Sequence, residues 1–489
     1  MHIEASGMSL PFDNTYSRLP EHFFARQKPA PVPSPKLLKF NERLGEELSI
    51  PPDWSKSDEL LDTLSGNHIT NGSEPIAQAY AGHQFGHLVP QLGDGRAILL
   101  GEIIARNGKR YDIQLKGSGQ TPFSRDGDGK SALGPVIREF ILSEAMHALG
   151  VPSTRALAAI ETGEVVWRQE GRVPGGVFTR VASSHIRVGT FQYFHARNDV
   201  EALRELVDYT IDRHYPDAAD DENPYLGLLD HVVTAQARLI AQWMSIGFIH
   251  GVMNTDNTAV SGETIDFGPC AFMEGFYPKC VFSSIDRNGR YAWGNQGNIG
   301  FWNLARFAET LLPLIDEKEE TAATKAESVL AKFPDRFGSE YSGHFKAKLA
   351  LPDHAPDDII KSSLELLARE ETDFTLFFRR LTQFADGGPR SPLESLFKDS
   401  TVFKQWHSDW EKQADLPSGI QAMATANPIR IPRNHRVEQA IQAAYRQDYA
   451  PFHRLVDALE NPYDESEEFS DIESLPQPHE VVEKTFCGT

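Results

Sequence analysis

The sequence predicts an α+β protein of two lobes, a sheet-rich N-terminal lobe followed by a helical C-terminal lobe, and two patterns carry that prediction. Between about residues 85 and 190, short apolar runs alternate with glycine turns. Ala97-Ile98-Leu99-Leu100, Tyr111-Asp112-Ile113-Gln114-Leu115 and Gly176-Val177-Phe178-Thr179-Arg180-Val181 have the length and composition of strands. After residue 195 the apolar positions recur at helical spacing instead, as in Leu229, Val232, Val233, Leu239, Ile240 and Trp243, with Gln236 the only polar residue in the stripe. A chain of 489 residues with 40% apolar content is too long for one ordinary core and rich enough to bury two or three.

In chain order, residues 1–50 carry proline-rich patches such as Pro29-Ala30-Pro31-Val32-Pro33 and predict an extended arm wrapping a lobe, so that 1–74 is an arm and extension. Residues 75–195 form the sheet-rich lobe. One helix interrupts it at 135–149, where Val136, Ile137, Phe140, Ile141, Ala145, Met146 and Leu149 make a broad apolar face that Gly150 ends. Helices at 199–213, 228–246, 302–315 and 437–445 place residues 196–455 in the helical lobe. Residues 456–489 are a tail. Asp457 to Glu473 holds eight acidic residues and no basic one, which predicts a solvated, mobile segment before the terminal Phe486-Cys487-Gly488-Thr489.

The formal net charge of −21 argues against a nucleic acid or an anionic membrane as partner, because phosphate binding is driven by basic surface. A phosphate ligand must therefore find a local basic pocket, and residues 90–190 carry 13 Lys/Arg against 10 Asp/Glu. Three cysteines, Cys270, Cys280 and Cys487, are too few for a disulfide framework and lack zinc-ligand spacing, which fits a reducing compartment. The first ten residues lack a signal pattern, and no apolar run approaches the roughly 20 residues of a spanning helix. A soluble cytoplasmic monomer is expected, organellar only if an import signal has been removed.

Chemistry concentrates at the junction of the two lobes. Kinase-type phosphotransferases read His-(Arg/Gly)-Asp-x-x-x-x-Asn followed by Asp-Phe-Gly, the first Asp orienting the acceptor hydroxyl and the Asn and second Asp holding metal. Here His250-Gly251-Val252-Met253-Asn254-Thr255-Asp256-Asn257 precedes Asp266-Phe267-Gly268, and the first Asp position is Val252. A valine cannot take a proton. Asp256 is the nearest carboxylate and suits a general base, a cap or turn role being the alternative. Asn257 and Asp266 offer hard oxygen ligands for Mg²⁺ (or Mn²⁺), and 260–265 reads as a tight hairpin that would bring them together.

Further candidates lie upstream. Gly93-Asp94-Gly95-Arg96 sits between apolar strands, where Gly93 and Gly95 let backbone N–H groups approach phosphate, although a plain hairpin turn explains it equally. Lys116 closes a strand, and Glu139, 23 residues on in the one helix of that lobe, is its candidate partner, with Glu144 as fallback. The loop 117–130 carries four glycines and opens toward a helix N-terminus, as an anion-wrapping loop would. Arg180 and Arg187 are candidates for bidentate phosphate contacts; a solvated strand end is the alternative for each.

Taken together, Gly93-Asp94-Gly95-Arg96, Lys116-Gly117-Ser118-Gly119-Gln120-Thr121-Pro122-Phe123-Ser124-Arg125, the 250–257 stretch and Asp266-Phe267-Gly268-Pro269-Cys270 resemble the selenoprotein O family, most strongly over 75–300. The resemblance implies a bilobal protein-kinase-like fold that transfers AMP, in place of phosphate, from ATP to protein hydroxyls, the nucleotide lying reversed so that pyrophosphate leaves. By that resemblance Gly93, Gly95, Arg96, Lys116, Asp128, Gly129, Arg180 and Arg187 bind ATP. Asn257 and Asp266 hold Mg²⁺ (or Mn²⁺), and Asp256 accepts the proton. It also implies a redox residue third from the C-terminus, here Cys487 in the bacterial cysteine form, bonding to Cys270. The readings that compete are UMP transfer from UTP, an ordinary protein kinase, and an inactive nucleotide-binding scaffold.

Overall fold

The computed structural model describes residues 10–169 and 171–486, in which helix and antiparallel sheet are mixed. The sheet has eight strands: β1 (Phe24–Arg26), β2 (Lys36–Phe40), β3 (Ile76–Gln78), β6 (Ala97–Ile104), β7 (Arg110–Lys116), β8 (Ser131–Ala132), β9 (Arg155–Arg168) and β10 (Gly171–Ala182). Its order is β1-β3-β6-β7-β10-β9-β2, with β8 paired on β10. A separate hairpin, β4 (Gly82–Gln84) and β5 (His87–Val89), lies between β3 and β6 in sequence. The expected N-terminal arm is thus more than an arm. Lys36 to Phe40 pairs with β9 and Phe24 to Arg26 with β3, so both edges of the sheet come from the first 40 residues. Their apolar residues satisfy strand alternation, with Phe24, Leu38 and Phe40 buried. Only the proline-rich link between them crosses the lobe as an extended chain, where Ala30 N–H donates to the Ser118 carbonyl.

Side-chain alternation then decides what each face carries. On β7 and β10, Ile113, Leu115, Val177 and Val181 pack with Trp54, Leu60 and Leu64 beneath helices α1 (Glu42–Glu47) and α2 (Asp58–Ser65). The residues between them, Gln114, Lys116, Phe178 and Arg180, take the opposite face, where Phe178 packs on helix α3 (Leu133–Ala148). Helix α3 is the one helix expected in this region. It ends where Gly150 adopts φ +78°, and it is itself covered from behind by residues 437–459.

Beyond residue 187 the chain is helical. Helices α4 (Val188–His195), α5 (Val200–His214) and α6 (Pro224–Ser245) come first, and Asn223 caps α6 by accepting from Leu226 N–H. The stripe read from the sequence is buried along α6, and its interrupting Gln236 donates to the Ala259 carbonyl at 2.8 Å. Strands β11 (Phe248–Ile249) and β12 (Ala271–Phe272) pair across the junction and bracket the 250–268 loops. Helices α7 (Gln296–Ile315), α8 (Glu319–Leu330) and α9 (Phe333–Lys348) pack against α6. Helices α10 (Asp358–Glu370), α11 (Phe374–Ala385), α12 (Ser391–Glu394), α13 (Ser400–Glu411), α14 (Leu416–Ala426), α15 (Asn434–Ala444), α16 (Ala450–Leu459) and α17 (Ser470–Glu473) complete the order. No helix among the described residues is long and apolar enough to cross a membrane.

The acidic segment departs from expectation. It is strapped down because arginines supplied by the helical region neutralise it: Arg430 pairs with Glu473 at 3.2 Å, Arg454 with Asp471 at 2.6 Å, and Arg379 with Glu465, while Ile472 is buried. These arginines lie outside the acidic stretch, so a charge count confined to it does not include them.

A second ionic cluster ties sheet to helices. Arg213 of α5 reaches Glu102 of β6 at 2.7 Å and Asp112 of β7 at 2.6 Å, and His185 meets Asp112 at 2.9 Å, all of them buried. Removing one partner from such a cluster leaves an uncompensated charge. Arg213→Ala is expected to destabilise the fold by about 3–5 kcal/mol in chemical denaturation.

Candidate active site

The site is a cleft of about 720 Å³ between the sheet and the 250–268 loops, a volume in the range of small-ligand pockets. Seven Lys/Arg and five Asp line it, so the wall is basic in a protein of net charge −21. Gly93, Gly95, Arg96, Lys116, Asp128, Gly129, Arg180, Arg187, Asp256, Asn257 and Asp266 all contribute to the lining.

At its centre is a buried ionic cluster. Lys116 Nζ lies 2.6 Å from Glu139 Oε2 and 2.6 Å from Asp266 Oδ1. Arg180 Nε donates to Glu139 Oε1 at 3.0 Å, and its Nη2 approaches Asp266 Oδ1 at 3.8 Å. Burial alone would raise both carboxyls, but Arg180 and Lys116 outweigh it and hold Glu139 below its ordinary value; Lys116 and Arg180 do the same, far more strongly, for Asp266. The fallback partner Glu144 is engaged elsewhere, accepting two hydrogen bonds from Arg155 at 2.9 and 2.8 Å and one from Asn41. It sits five positions past Glu139, on another face of α3.

Loop 117–130 forms the roof. Gly93 has φ +79°, and a Cβ there would lie 2.3 Å from the Phe123 ring, so the loop packs directly on the 93–95 turn. Thr121 Oγ1 donates to the Asp94 carbonyl at 2.7 Å, Ser124 donates to the Gly95 carbonyl, and Gly119 N–H donates to Gly129. Asp128 stands at the rim, holding Arg168 at 2.9 Å and the Lys130 N–H at 2.9 Å. Arg187, at the start of α4, spans the floor: its guanidinium covers the Tyr80 ring at 4.4 Å, approaches Asp94 at 3.6 Å and donates to the Asp256 carbonyl oxygen at 3.1 Å.

The loop preceding the metal-ligand candidates explains the valine. Val252 is buried in the apolar core with Met253 and Phe267, where a carboxylate would be stripped of water. Its carbonyl accepts from Asn257 Nδ2 at 3.0 Å, which orients the amide and leaves Oδ1 as the atom that a cation would take. His250 is buried and bonds through Nε2 to the Ile265 carbonyl at 2.9 Å, linking the two loops. The expected hairpin at 260–265 is a turn instead. Its limbs pair with different neighbours, Val260 N–H with the Ile186 carbonyl and Thr264 N–H with the Pro152 carbonyl, and not with each other.

Asp256 lies in a single 3₁₀ turn, Thr255–Asn257, and is buried. Its Oδ1 takes no hydrogen bond from the described residues, and Oδ2 has a long contact of 3.5 Å from Gln84 Nε2. Burial pushes its carboxyl up to about 6, only partly offset by a backbone hydrogen bond and Arg187. Space for this side chain comes from Gly82, where a Cβ would lie 2.3 Å from Asp256 Oδ1. Gly82, Gln84, Tyr80 and Asp94 were not singled out in the sequence. A glycine in a short hairpin carries no local mark of what it must clear. Asp94 lay inside a motif noticed for its glycines.

Cys270 is buried beside this cluster, its thiol pushed up to about 12 by burial. Cys487 lies outside the described residues. Among the described residues, no group of three His, Cys, Asp or Glu side chains is arranged to hold a metal ion. A cation here would take the oxygens of Asn257 and Asp266 and complete its shell from phosphate and water, the usual habit of Mg²⁺.

A basic cleft that also presents Asn257, Asp266 and the buried carboxyl of Asp256 has the chemistry to take a phosphate-bearing ligand. Residues 7–460 match the sequence model of the family described as protein adenylyltransferase SelO. The chain is 54% identical over 488 residues to the protein nucleotidyltransferase YdiU of Rhodopseudomonas palustris strain BisB5, covering 98% of this chain and 99% of that one. It is 53% identical over 494 residues to the YdiU protein of Methylorubrum populi (98% and 99% covered), and 54% over 487 residues to that of Bradyrhizobium sp. strain BTAi1 (98% and 99% covered). The chain belongs to the SelO family and is an enzyme of the nucleotidyltransferase class.

A raised carboxyl has a cost that titration can read. Asp256 in the folded state holds its proton up to about pH 6, against an ordinary value of 3.8, so folding stability falls as pH rises between those values and is level above. Asp256→Asn is expected to be the more stable protein above pH 6, by on the order of 2–3 kcal/mol, with the gain vanishing below about pH 4. Urea titrations of both proteins at pH 4 and pH 8 measure this.

Proposed function

We propose that this enzyme transfers AMP from ATP to Ser, Thr or Tyr hydroxyls of target proteins, releasing pyrophosphate, in a kinase-like two-lobed fold whose base is Asp256. The observation that carries the reading is Asp256 itself: a buried carboxylate with a free oxygen, at the floor of a basic cleft, with a proton affinity near neutrality as a general base requires. Asp256 takes the proton of the acceptor hydroxyl as its oxygen attacks the α-phosphorus. The bond from that phosphorus to the bridging oxygen breaks, and pyrophosphate departs with the electron pair.

Charge develops on the leaving pyrophosphate, and Arg96, Lys116, Arg180 and Arg187 supply the fixed positive wall that favours it. Such a wall is worth most where water is excluded. Lys116, Arg180 and Arg187 are all buried, which sharpens their field. Mg²⁺ or Mn²⁺, held through Asn257 and Asp266, would neutralise phosphate charge. Asp266 stays ionised for this because Lys116 and Arg180 hold its carboxyl far below the usual range, despite burial. The reading includes redox control through a Cys270–Cys487 bond. Its support is that Thr485 Oγ1 donates to the Pro269 carbonyl, one residue before Cys270, so the described end of the chain already lies on this loop.

Incubation with α-³²P-ATP and with γ-³²P-ATP in parallel tests the transfer. Protein label from the α-phosphate alone is expected; label from the γ-phosphate alone identifies a kinase, stronger label from α-³²P-UTP identifies UMP transfer, and none of the three favours a scaffold. The transfer rate is expected to rise with pH through about 6 and level off above, and Asp256→Ala to lose it by about 10²–10⁴-fold. For the tail, the non-reduced protein is expected to migrate faster in denaturing gels than the reduced one, a difference that Cys270→Ser abolishes.

A further inference from the structure

We infer that the protein acceptor is recognised through an acidic side chain close to the modified hydroxyl, bound by Arg290 on a platform of Trp302 and Tyr291. This subsite rests on the proposed transfer to proteins and adds what that reading lacks, a chemical preference for the acceptor segment.

Hairpin β4–β5 forms a partition beside the base. On one side Gln84 reaches Asp256, and both line the nucleotide cleft. Arg290 does not line that cleft. It lies against the turn of the hairpin, its guanidinium carbon 3.6 Å from the position of a Cβ on Gly86, two residues from Gln84. The same turn is locked to the catalytic loop, because His83 N–H donates to Thr255 Oγ1 at 2.6 Å and Phe85 N–H to Asn254 Oδ1 at 3.0 Å. The Asn254 oxygen also accepts from Tyr291 Oη at 2.6 Å, so the residue following Arg290 is anchored beside the base.

Arg290 is held in place without being neutralised. Its guanidinium lies 4.8 Å from the Trp302 ring and 5.7 Å from the Tyr291 ring, and His83 packs edge-on against Trp302 at 5.2 Å. Stacking of this kind orients a guanidinium; part of its donor edge meets the Tyr291 hydroxyl, and the rest stays open to a ligand. Among the described residues no carboxylate forms an ion pair with Arg290, and its Nε, although buried, makes no hydrogen bond. The nearby acids are occupied: Asp286 accepts the backbone N–H groups of Arg290 and Tyr291, and Glu309 pairs with Arg306, the second guanidinium on the Trp302 ring. Arg287 and Lys279 are exposed on the same stretch and add positive charge.

A stacked, carboxylate-free arginine beside the base, outside the nucleotide cleft, matches a carboxylate on the acceptor. Only the hairpin turn separates its contacts with Asp256 and Arg290, so the Asp or Glu that meets Arg290 lies close in sequence to the acceptor hydroxyl.

The test uses the full-length enzyme, α-³²P-ATP and synthetic peptides with one central Ser, Thr or Tyr, carrying Asp, Ala or Lys at each of three flanking positions on either side. Wild-type enzyme is expected to favour an acidic flank at one or two positions by about tenfold in kcat/KM, mostly through KM. Arg290→Ala is expected to reduce that ratio to near one, and Arg290→Glu to invert it toward Lys. The Ala-flanked peptide is the internal reference for each variant's folding. Labelled peptides without acidic preference, or a preference that persists in Arg290→Ala, overturns the subsite alone, as does self-labelling of the enzyme with no labelled peptide. No α-label on any peptide or on the enzyme overturns the transfer reaction and the subsite together.

Discussion

Four charges between sheet and loop, those of the buried Lys116, Glu139 and Arg180 and the partly buried Asp266, fix the geometry on which everything else in the cleft depends. They come from β7 and β10, which are neighbours in the sheet, from α3, which packs on β10, and from the loop after Ile265, which Lys116 fastens to the sheet. Each ion loses several kcal/mol of hydration on burial, and only the complete set returns it. The cluster is therefore close to all-or-none. Its two cations and two carboxylates balance, so any anion drawn into the cleft would compete with Glu139 and Asp266 for the same guanidinium and ammonium groups. A cation on Asp266 would relieve that competition by drawing its carboxylate away from Lys116.

The 250–257 loop divides its side chains between the apolar core and the cleft. Val252 is spent on the apolar core, and its carbonyl on Asn257. Asp256, four residues on, faces the cleft instead, in a space that exists because Gly82 and Gly189 lack side chains: a Cβ on Gly189 would lie 2.1 Å from the Ala81 carbonyl. Close approach of hairpin β4–β5 and α4 to the 254–257 turn dries Asp256. Dryness raises its proton affinity, at some expense in stability, as functional sites often show.

Much of this was legible in the sequence, because strand period and helix period are local signals. Alternation on β7 placed Lys116 on a strand end, and the spacing to Glu139 on the following helix was readable. The cluster's other half is less so: nothing along the chain shows that Arg180 and Asp266 join the ionic cluster of Lys116 and Glu139. Long-range electrostatics was invisible. Asp457 to Glu473 reads as a solvated, mobile segment because Arg379, Arg430 and Arg454, which hold it, lie outside that stretch. The same holds for the 260–265 turn, whose composition suits a hairpin but whose backbone partners, Ile186 and Pro152, come from distant segments. Gln84 and Arg290 carry no motif at all, and only the folded hairpin relates them to Asp256.

The sheet's two borders also bear on how the chain reaches this state. Strand β1 pairs with β3, and β2 with β9, Lys36 meeting Glu161 across more than a hundred residues. During synthesis the border strands emerge first, yet β2 has no partner until β9 has left the ribosome. Until then a segment with buried-type residues at Leu38 and Phe40 waits in solvent. Such non-local pairing slows folding and leaves an unprotected strand exposed to mispairing in the interval. Lys36 and Lys39, which flank those apolar positions, are the kind of charges that keep a waiting strand from pairing with a neighbour of its own kind. The segment that closes the finished sheet is thus also the one whose solubility governs how safely the nascent chain arrives there.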